Sequence, residues 1–155
     1  MLVRMDLLLK DAQKRNYGIP APNVFNSDTV KAVFEVAREL RSPIIIDVGE
    51  THGLDILEEV SHMVHYYNKI YYDVVASLNL DHGQTLEGVV KALDSGFNSV
   101  MIDYSAKPYD ENVKICQEVV RRAHMVNASV EAELGHVGQG VEYEKDRDAG
   151  LTDPE

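Results

Sequence analysis

The sequence predicts an α/β protein built on a parallel sheet, and three observations carry that reading. Strand-like apolar runs alternate with helix-period segments along the chain, the pattern that sets consecutive strands side by side with helices packed on them. The run Val74–Leu78 is almost continuously apolar, as in a parallel strand buried on both faces. It leads into Asp81-His82-Gly83, and other strand-like runs end in polar groups in the same way. In parallel α/β proteins the carboxyl ends of the strands are where binding and catalytic groups collect.

The elements follow in order. Met5–Asn16 is expected as a short amphipathic helix with Leu7, Leu8 and Ala12 on one side, stopped by Tyr17-Gly18. Ile19–Phe25 reads as a first strand, weakened by Pro20 and Pro22, which cannot donate to a ladder. Ser27 and Asp28 are suited to cap a helix carrying Val30, Val33, Phe34, Ala37 and Leu40. Pro43–Val48 is a second strand, and Leu54–Asn68 a helix with Leu57, Val60, Met63, Val64 and Tyr67 on one face. The third strand is Asp73–Leu80, and a helix from about Gln84 to Asp94 follows, ended by Gly96. Asn98–Ile102 is the fourth strand and Pro108–Met125 a long helix whose acidic first turn suits its dipole. Ala128–Leu134 is the fifth strand, and Gly135–Glu155 a polar loop without apolar period.

Five strands and five helices in 155 residues fit two architectures. A five-stranded doubly wound sheet would be complete. A (β/α)8 barrel typically takes about 250 residues, of which this chain would be little more than half.

Composition narrows the function classes. Apolar content of 45% and charged content of 26% describe a soluble globular domain with a sizeable core. No stretch approaches the roughly 18 apolar residues of a membrane span. The opening MLVRMDLLLKDAQKRN is too broken by charge for a signal peptide. The single cysteine, Cys116, excludes an intrachain disulfide and accords with a reducing cytoplasm; inside a helical segment it reads as a packing residue. A net charge of −11 argues against a general nucleic-acid binder. It leaves room for a phosphorylated ligand held by backbone N–H groups or a cation.

The strand-end polar residues are Asn23 and Asn26, Asp47, Asp81 with His82, Asp103 with Ser105, and Glu131 with Glu133. Asp47 alone reads most simply as a helix cap. Glu131 and Glu133 alternate with Val130, Ala132 and Leu134 and so share one face, where two buried carboxylates require a counter-cation. His82, beside Asp81 and facing Asp103 and Glu133 across neighbouring strand ends, is a candidate metal ligand, since imidazole and carboxylate are zinc donors. His52, His62, His65 and His124 read as surface or helix-side residues; His136, after the fifth strand, is kept as a further candidate.

LDHG at Leu80–Gly83, GFNSVMIDYS at Gly96–Ser105, PYDENV at Pro108–Val113 and SVEAELGHVG at Ser129–Gly138 resemble the class II, zinc-dependent fructose- and tagatose-bisphosphate aldolases. LLLKDAQKRNYGIPAPNVFN looks like their N-terminal helix and first strand. The resemblance runs in register across essentially the whole chain. It implies a (β/α)8 TIM barrel, of which residues 1–155 would be the N-terminal part of a single domain, supplying about five strands and ending in the loop after the fifth.

By position, the resemblance implies that Asp81 is the catalytic acid/base and that His82 is one of three histidines on the catalytic zinc. Asp103 and Glu133 match a second metal site, for a further divalent or a monovalent cation. Glu142 is the candidate for a proton-exchanging acid on the loop after the fifth strand, and Asn23 and Gly49 are candidates for substrate contact. The implied reaction cleaves or forms a ketose 1,6-bisphosphate, fructose or tagatose, from dihydroxyacetone phosphate and glyceraldehyde 3-phosphate. Zinc would hold the developing negative charge as a Lewis acid, in place of a lysine Schiff base. Cytoplasmic carbohydrate metabolism, glycolysis in particular, and a homodimer or homotetramer go with it, without membrane or nucleic-acid partners.

The sequence departs from the family pattern in places. Asn79 stands where His is usual before LDH, Pro22 replaces a frequent Phe, Gly49 a phosphate-binding Ser, and Tyr104 a Gly or Leu; the loop Gly138–Glu142 is one residue longer than usual. These changes bear on the substrate more than on the chemistry. The remaining two zinc histidines would lie beyond Glu155, so the chain alone is expected to be inactive, with exposed strand edges. Two other readings stand beside this one: a non-catalytic half-barrel remnant, and a five-stranded doubly wound binding or signalling domain. The order of the strands separates the second of these from a barrel.

Overall fold

The computed structural model describes residues 1–135 and 151–152. Among them are helices α1 (Met5–Arg15), α2 (Ser27–Leu40), α3 (Leu54–Ile70), α4 (Leu86–Asp94) and α5 (Tyr109–Met125). The strands are β1 (Ile44–Gly49), β2 (Ala76–Gly83), β3 (Ser99–Ile102) and β4 (Ser129–Glu131), and a single 3-10 turn, Glu50–His52, follows β1. All four strands are parallel and lie in the order β1-β2-β3-β4. Sequential order is that of a barrel arc. A doubly wound sheet reverses its order at a switch point, so that alternative is excluded.

Helices α2 to α5 cover one face. Ile46, Val48, Leu78, Leu80, Val100 and Ile102 form a single core with Phe34 of α2, Leu57 and Val60 of α3, Val89 of α4 and Val119 of α5. On the other face the buried residues include Asp47, Ser77, Asn79, Ser99 and Ser129. The expectation of a third strand apolar on both faces is therefore corrected. β2 is shifted towards its carboxyl end, beginning at Ala76 and running through Asp81-His82-Gly83, and its inward positions are polar because they line the mouth and interior of the barrel arc.

The amino ends of the strands are closed by the start of the chain. Val3 N donates to Ala76 O at 2.8 Å and Ala76 N to Met1 O at 2.9 Å. Met5 and Leu8 of α1 pack on Ile45. No helix among the described residues is long and apolar enough to cross a membrane.

The first of the five expected strands is not a regular strand, and the reason is chemical. Asp47 N donates to Pro22 O at 3.0 Å and Val24 N to Asp47 O at 2.9 Å, which makes one parallel bridge, Asn23 with Asp47. Ile45 N continues the pattern to Pro20 O at 3.1 Å. The next reciprocal bond would need an N–H on Pro22, which has none, so the ladder stops after one bridge. The segment still lies beside β1 where a strand was expected.

Three smaller expectations are also corrected. The cap of α2 is Asn26, whose side chain accepts from Thr29 N in a capping box, rather than Ser27 or Asp28. Asn16, not Gly18, takes the left-handed conformation that ends α1. The fifth expected strand is regular only over Ser129–Glu131, so Glu133 lies beyond it.

Candidate active site at the carboxyl ends of the strands

The site is organised by a break in the pairing of β2. Leu80 pairs with Val100, but the next pair is Gly83 with Ile102, so β2 carries one residue more than β3 over the same span. In a regular strand, neighbours such as Asp81 and His82 point to opposite faces. A bulge re-aims side chains, and His82 takes a left-handed φ of 48°. Both residues thereby serve the same mouth. Gly83 makes the arrangement possible, since a Cβ there would lie 2.3 Å from Met101 O.

His82 Nδ1 lies 2.7 Å from Asp103 Oδ2, and its Nε2 is 3.9 Å from Asp81 Oδ1. The other Asp103 oxygen accepts from Ser105 N at 3.1 Å and Ser105 Oγ at 2.5 Å, so the carboxylate is held on both sides. Partial burial opposes charge on the His82 ring. The Asp103 hydrogen bond and the charges of Asp81, Asp103 and Glu133 outweigh it and raise the imidazole pKa above its ordinary value. Burial likewise works against ionised Asp103, but the bonds from Ser105 and His82 prevail and its pKa is lowered.

Ligand atoms of His82, Asp103 and Glu133 all lie within 4.8 Å of one another. The sequence reading assigned His82 to one metal and Asp103 with Glu133 to another; the fold gathers the three into one cluster. One imidazole and two carboxylates are a donor set that zinc accepts at about 2.0–2.2 Å. The residues fit such an ion.

Asp81 is a neighbour of this cluster and has its own support. Asn23 Nδ2 donates to Asp81 Oδ2 at 3.1 Å. Gly49 pairs with Asp81 across β1 and β2, and a Cβ on Gly49 would sit 3.8 Å from Asn23 Oδ1. Asn23, Gly49 and Asp81 thus meet at one point. Glu142 and His136 lie outside the described residues.

Deeper in the arc, Asn79 joins two carboxyl groups that sequence reasoning left apart. Its Nδ2 donates to Asp47 Oδ1 at 3.1 Å and to Glu131 Oε2 at 3.2 Å. Asp47 is therefore not a helix cap: it is 7% exposed and faces inward. Burial, with the nearby charges of Asp81 and Glu131, outweighs the Asn79 hydrogen bond and moves its pKa to about 7. Burial also raises the pKa of Glu131. The sequence offered Asp47 as a strand-end residue and Glu131 as an acid alternating with apolar neighbours, but nothing that showed the Asn79 amide between them.

Glu50 was missed altogether. Its carboxylate accepts from Gln84 N at 2.5 Å, Thr85 N at 3.1 Å and Thr85 Oγ1 at 2.5 Å. No sequence motif marks a lone glutamate after a strand.

A family model for class-II fructose-bisphosphate aldolases matches residues 3–155. The crystal structure of the YdjI aldolase from Escherichia coli K12 superposes with a TM-score of 0.82 at 34% identity, covering 99% of this chain and 58% of that one. A Coccidioides immitis protein assigned as a fructose-1,6-biphosphate aldolase superposes with a TM-score of 0.78 at 26% identity, covering 97% of this chain and 50% of that one. The chain therefore spans between half and three-fifths of the length of these structures.

Proposed function

The chain belongs to the class-II fructose-bisphosphate aldolase family, and on that premise we propose that it forms the N-terminal part, residues 1–155, of a single barrel domain that catalyses zinc-dependent aldol cleavage and condensation. The substrate class is a ketose 1,6-bisphosphate, fructose or tagatose, giving dihydroxyacetone phosphate and glyceraldehyde 3-phosphate. The observation that carries the reading is the convergence of Asp81 with the His82, Asp103 and Glu133 cluster at the carboxyl ends of the strands, the face on which barrel enzymes place their chemistry.

Asp81 acts as general base in cleavage. Its carboxylate takes the proton from the hydroxyl on the aldehyde-forming carbon, the adjacent carbon–carbon bond breaks, and the bonding pair moves towards the ketone. In condensation it returns the proton. Asn23 holds Oδ2 of Asp81, which orients the other oxygen for transfer. Gly49 keeps the space beside this pair open for the sugar phosphate. His82, with Asp103 and Glu133, would hold zinc, which when bound supplies Lewis-acid stabilisation of the charge developing on the ketone side. The Asp103 carboxylate, 2.7 Å from His82 Nδ1, fixes the orientation of the ring at the cluster. Glu142 is proposed as the acid that exchanges the substrate proton.

Activity, on this reading, belongs to the protein that carries the rest of the barrel, in the cytoplasm and as a homo-oligomer, and this chain alone is inactive. The test is a cleavage assay of that protein on both bisphosphates before and after exhaustive chelation. Loss of turnover on chelation and recovery with zinc is the expected result; turnover unchanged by chelation would sink the proposal.

A further inference from the structure

We propose that Glu50 is a positioning residue for the metal-binding end of β2, acting through the turn that follows His82. The inference rests on reading His82 as a metal ligand. Glu50 stands one residue past β1, yet its carboxylate is bonded to neither β1 nor the helix after it. It accepts from the backbone of Gln84 and Thr85 and from the Thr85 hydroxyl, the two residues that come directly after Gly83. Thr85 in turn caps α4, its Oγ1 accepting from Gly88 N at 2.9 Å. The Thr85 hydroxyl thus donates to Glu50 and accepts from α4, and the turn is pinned from both sides.

The location suits a carboxylate physically. The first N–H groups of a helix lack intrahelical partners, and the positive end of the helix dipole attracts a negative charge. Here the charge comes from a different strand, so the attraction ties the end of β1 to the start of α4. The bulged Asp81-His82-Gly83 segment lies between these two anchors, and a left-handed residue such as His82 needs surrounding structure to hold it.

A second observation points to the same tie. A Cβ on Gly88 would lie 2.4 Å from Glu50 Cδ and 2.4 Å from Oε2. Gly88 is inside α4, where Gly is worse than Ala by conformational entropy alone. The missing side chain is the space that Glu50 occupies.

The test uses the protein with its complete barrel, with zinc ion as the probe. Glu50→Gln keeps the shape of the side chain and removes its charge. Zinc affinity should fall about 10-fold or more, the loss usual when support behind a ligand is removed, and amide exchange at Gln84 and Thr85 should accelerate while Leu78 and Val100 keep their protection. Gly88→Ala should lower Tm and zinc affinity in the parent, because the new methyl displaces Glu50. In a Glu50→Ala background the same Gly88→Ala change should raise Tm, because only the helix-propensity gain remains. Zinc affinity within two-fold of the parent in Glu50→Gln, or a Gly88→Ala effect of the same sign in both backgrounds, overturns the proposal. If the parent protein with its complete barrel binds no zinc, the metal reading of His82 fails instead, and the exchange and Gly88 arms still decide whether Glu50 holds the turn.

Discussion

Oδ2 of Asp103 sits 2.7 Å from Nδ1 of His82, joining the end of β3 to the bulge of β2. Asp103→Asn keeps the shape but removes one carboxylate of the proposed zinc cluster and the charge beside His82. We expect zinc affinity to fall about 10- to 100-fold, measured by competition with a chromophoric chelator, with little change in Tm. Affinity equal to the parent would remove Asp103 from the proposed zinc cluster.

Asp81 separates binding from chemistry. In the protein with its complete barrel, Asp81→Asn should lower kcat by roughly 100- to 10,000-fold, the contribution typical of a positioned acid/base. Zinc binding should stay near the parent value. Retained turnover would remove Asp81 from the proposed role.

The inward Asp47 carboxyl has its pKa raised from 3.8 to about 7, chiefly by burial. Between pH 4 and pH 7 the folded chain therefore keeps a proton that the unfolded chain has released, so stability should decline as pH rises through that window. Asp47→Asn removes the charge while still offering an oxygen to Asn79. It should flatten this part of the profile and stabilise the fold at pH 8 by on the order of 2–4 kcal/mol. Urea unfolding at pH 4.5 and pH 8 tests it, and an unchanged slope between them would show that Asp47 does not titrate there.

Gly83 tolerates no side chain. A methyl group would meet Met101 O at 2.3 Å, and rigid backbone on both strands leaves it nowhere to go. Gly83→Ala should cost about 1–3 kcal/mol and weaken zinc binding as well, because the pairing of Asp103 N with Gly83 O at 2.8 Å fixes the relative height of β2 and β3. Denaturant midpoints and zinc titration of the same variant check both effects.

Much of this protein was legible in its residue order. The alternation of apolar runs with helix-period segments determined the α/β class, and the apolar stripes of α2 and α3 appear in the core apart from Leu40, which ends α2 exposed to solvent. Polar groups at strand ends marked the site. Asp81, His82, Asp103 and Glu133 could be singled out before any geometry, because runs such as LDHG and EAELG combine chemistry with strand-end position.

What the sequence could not decide was anything set by contacts between distant segments. Strand order separated a barrel arc from a doubly wound sheet, and both share the same local pattern. The single bridge at Asn23 depended on which N–H groups faced β1, and Pro22 had none to offer. The bulge that turns His82 towards Asp103 exists only because β3 approaches Gly83 from the side. Asp47 looked like a cap in isolation and became a buried acid once Asn79 and Glu131 closed around it. Local periodicity reports which face a residue occupies; only the packed sheet decides which charges meet on that face, and electrostatics at a few ångströms then sets their chemistry.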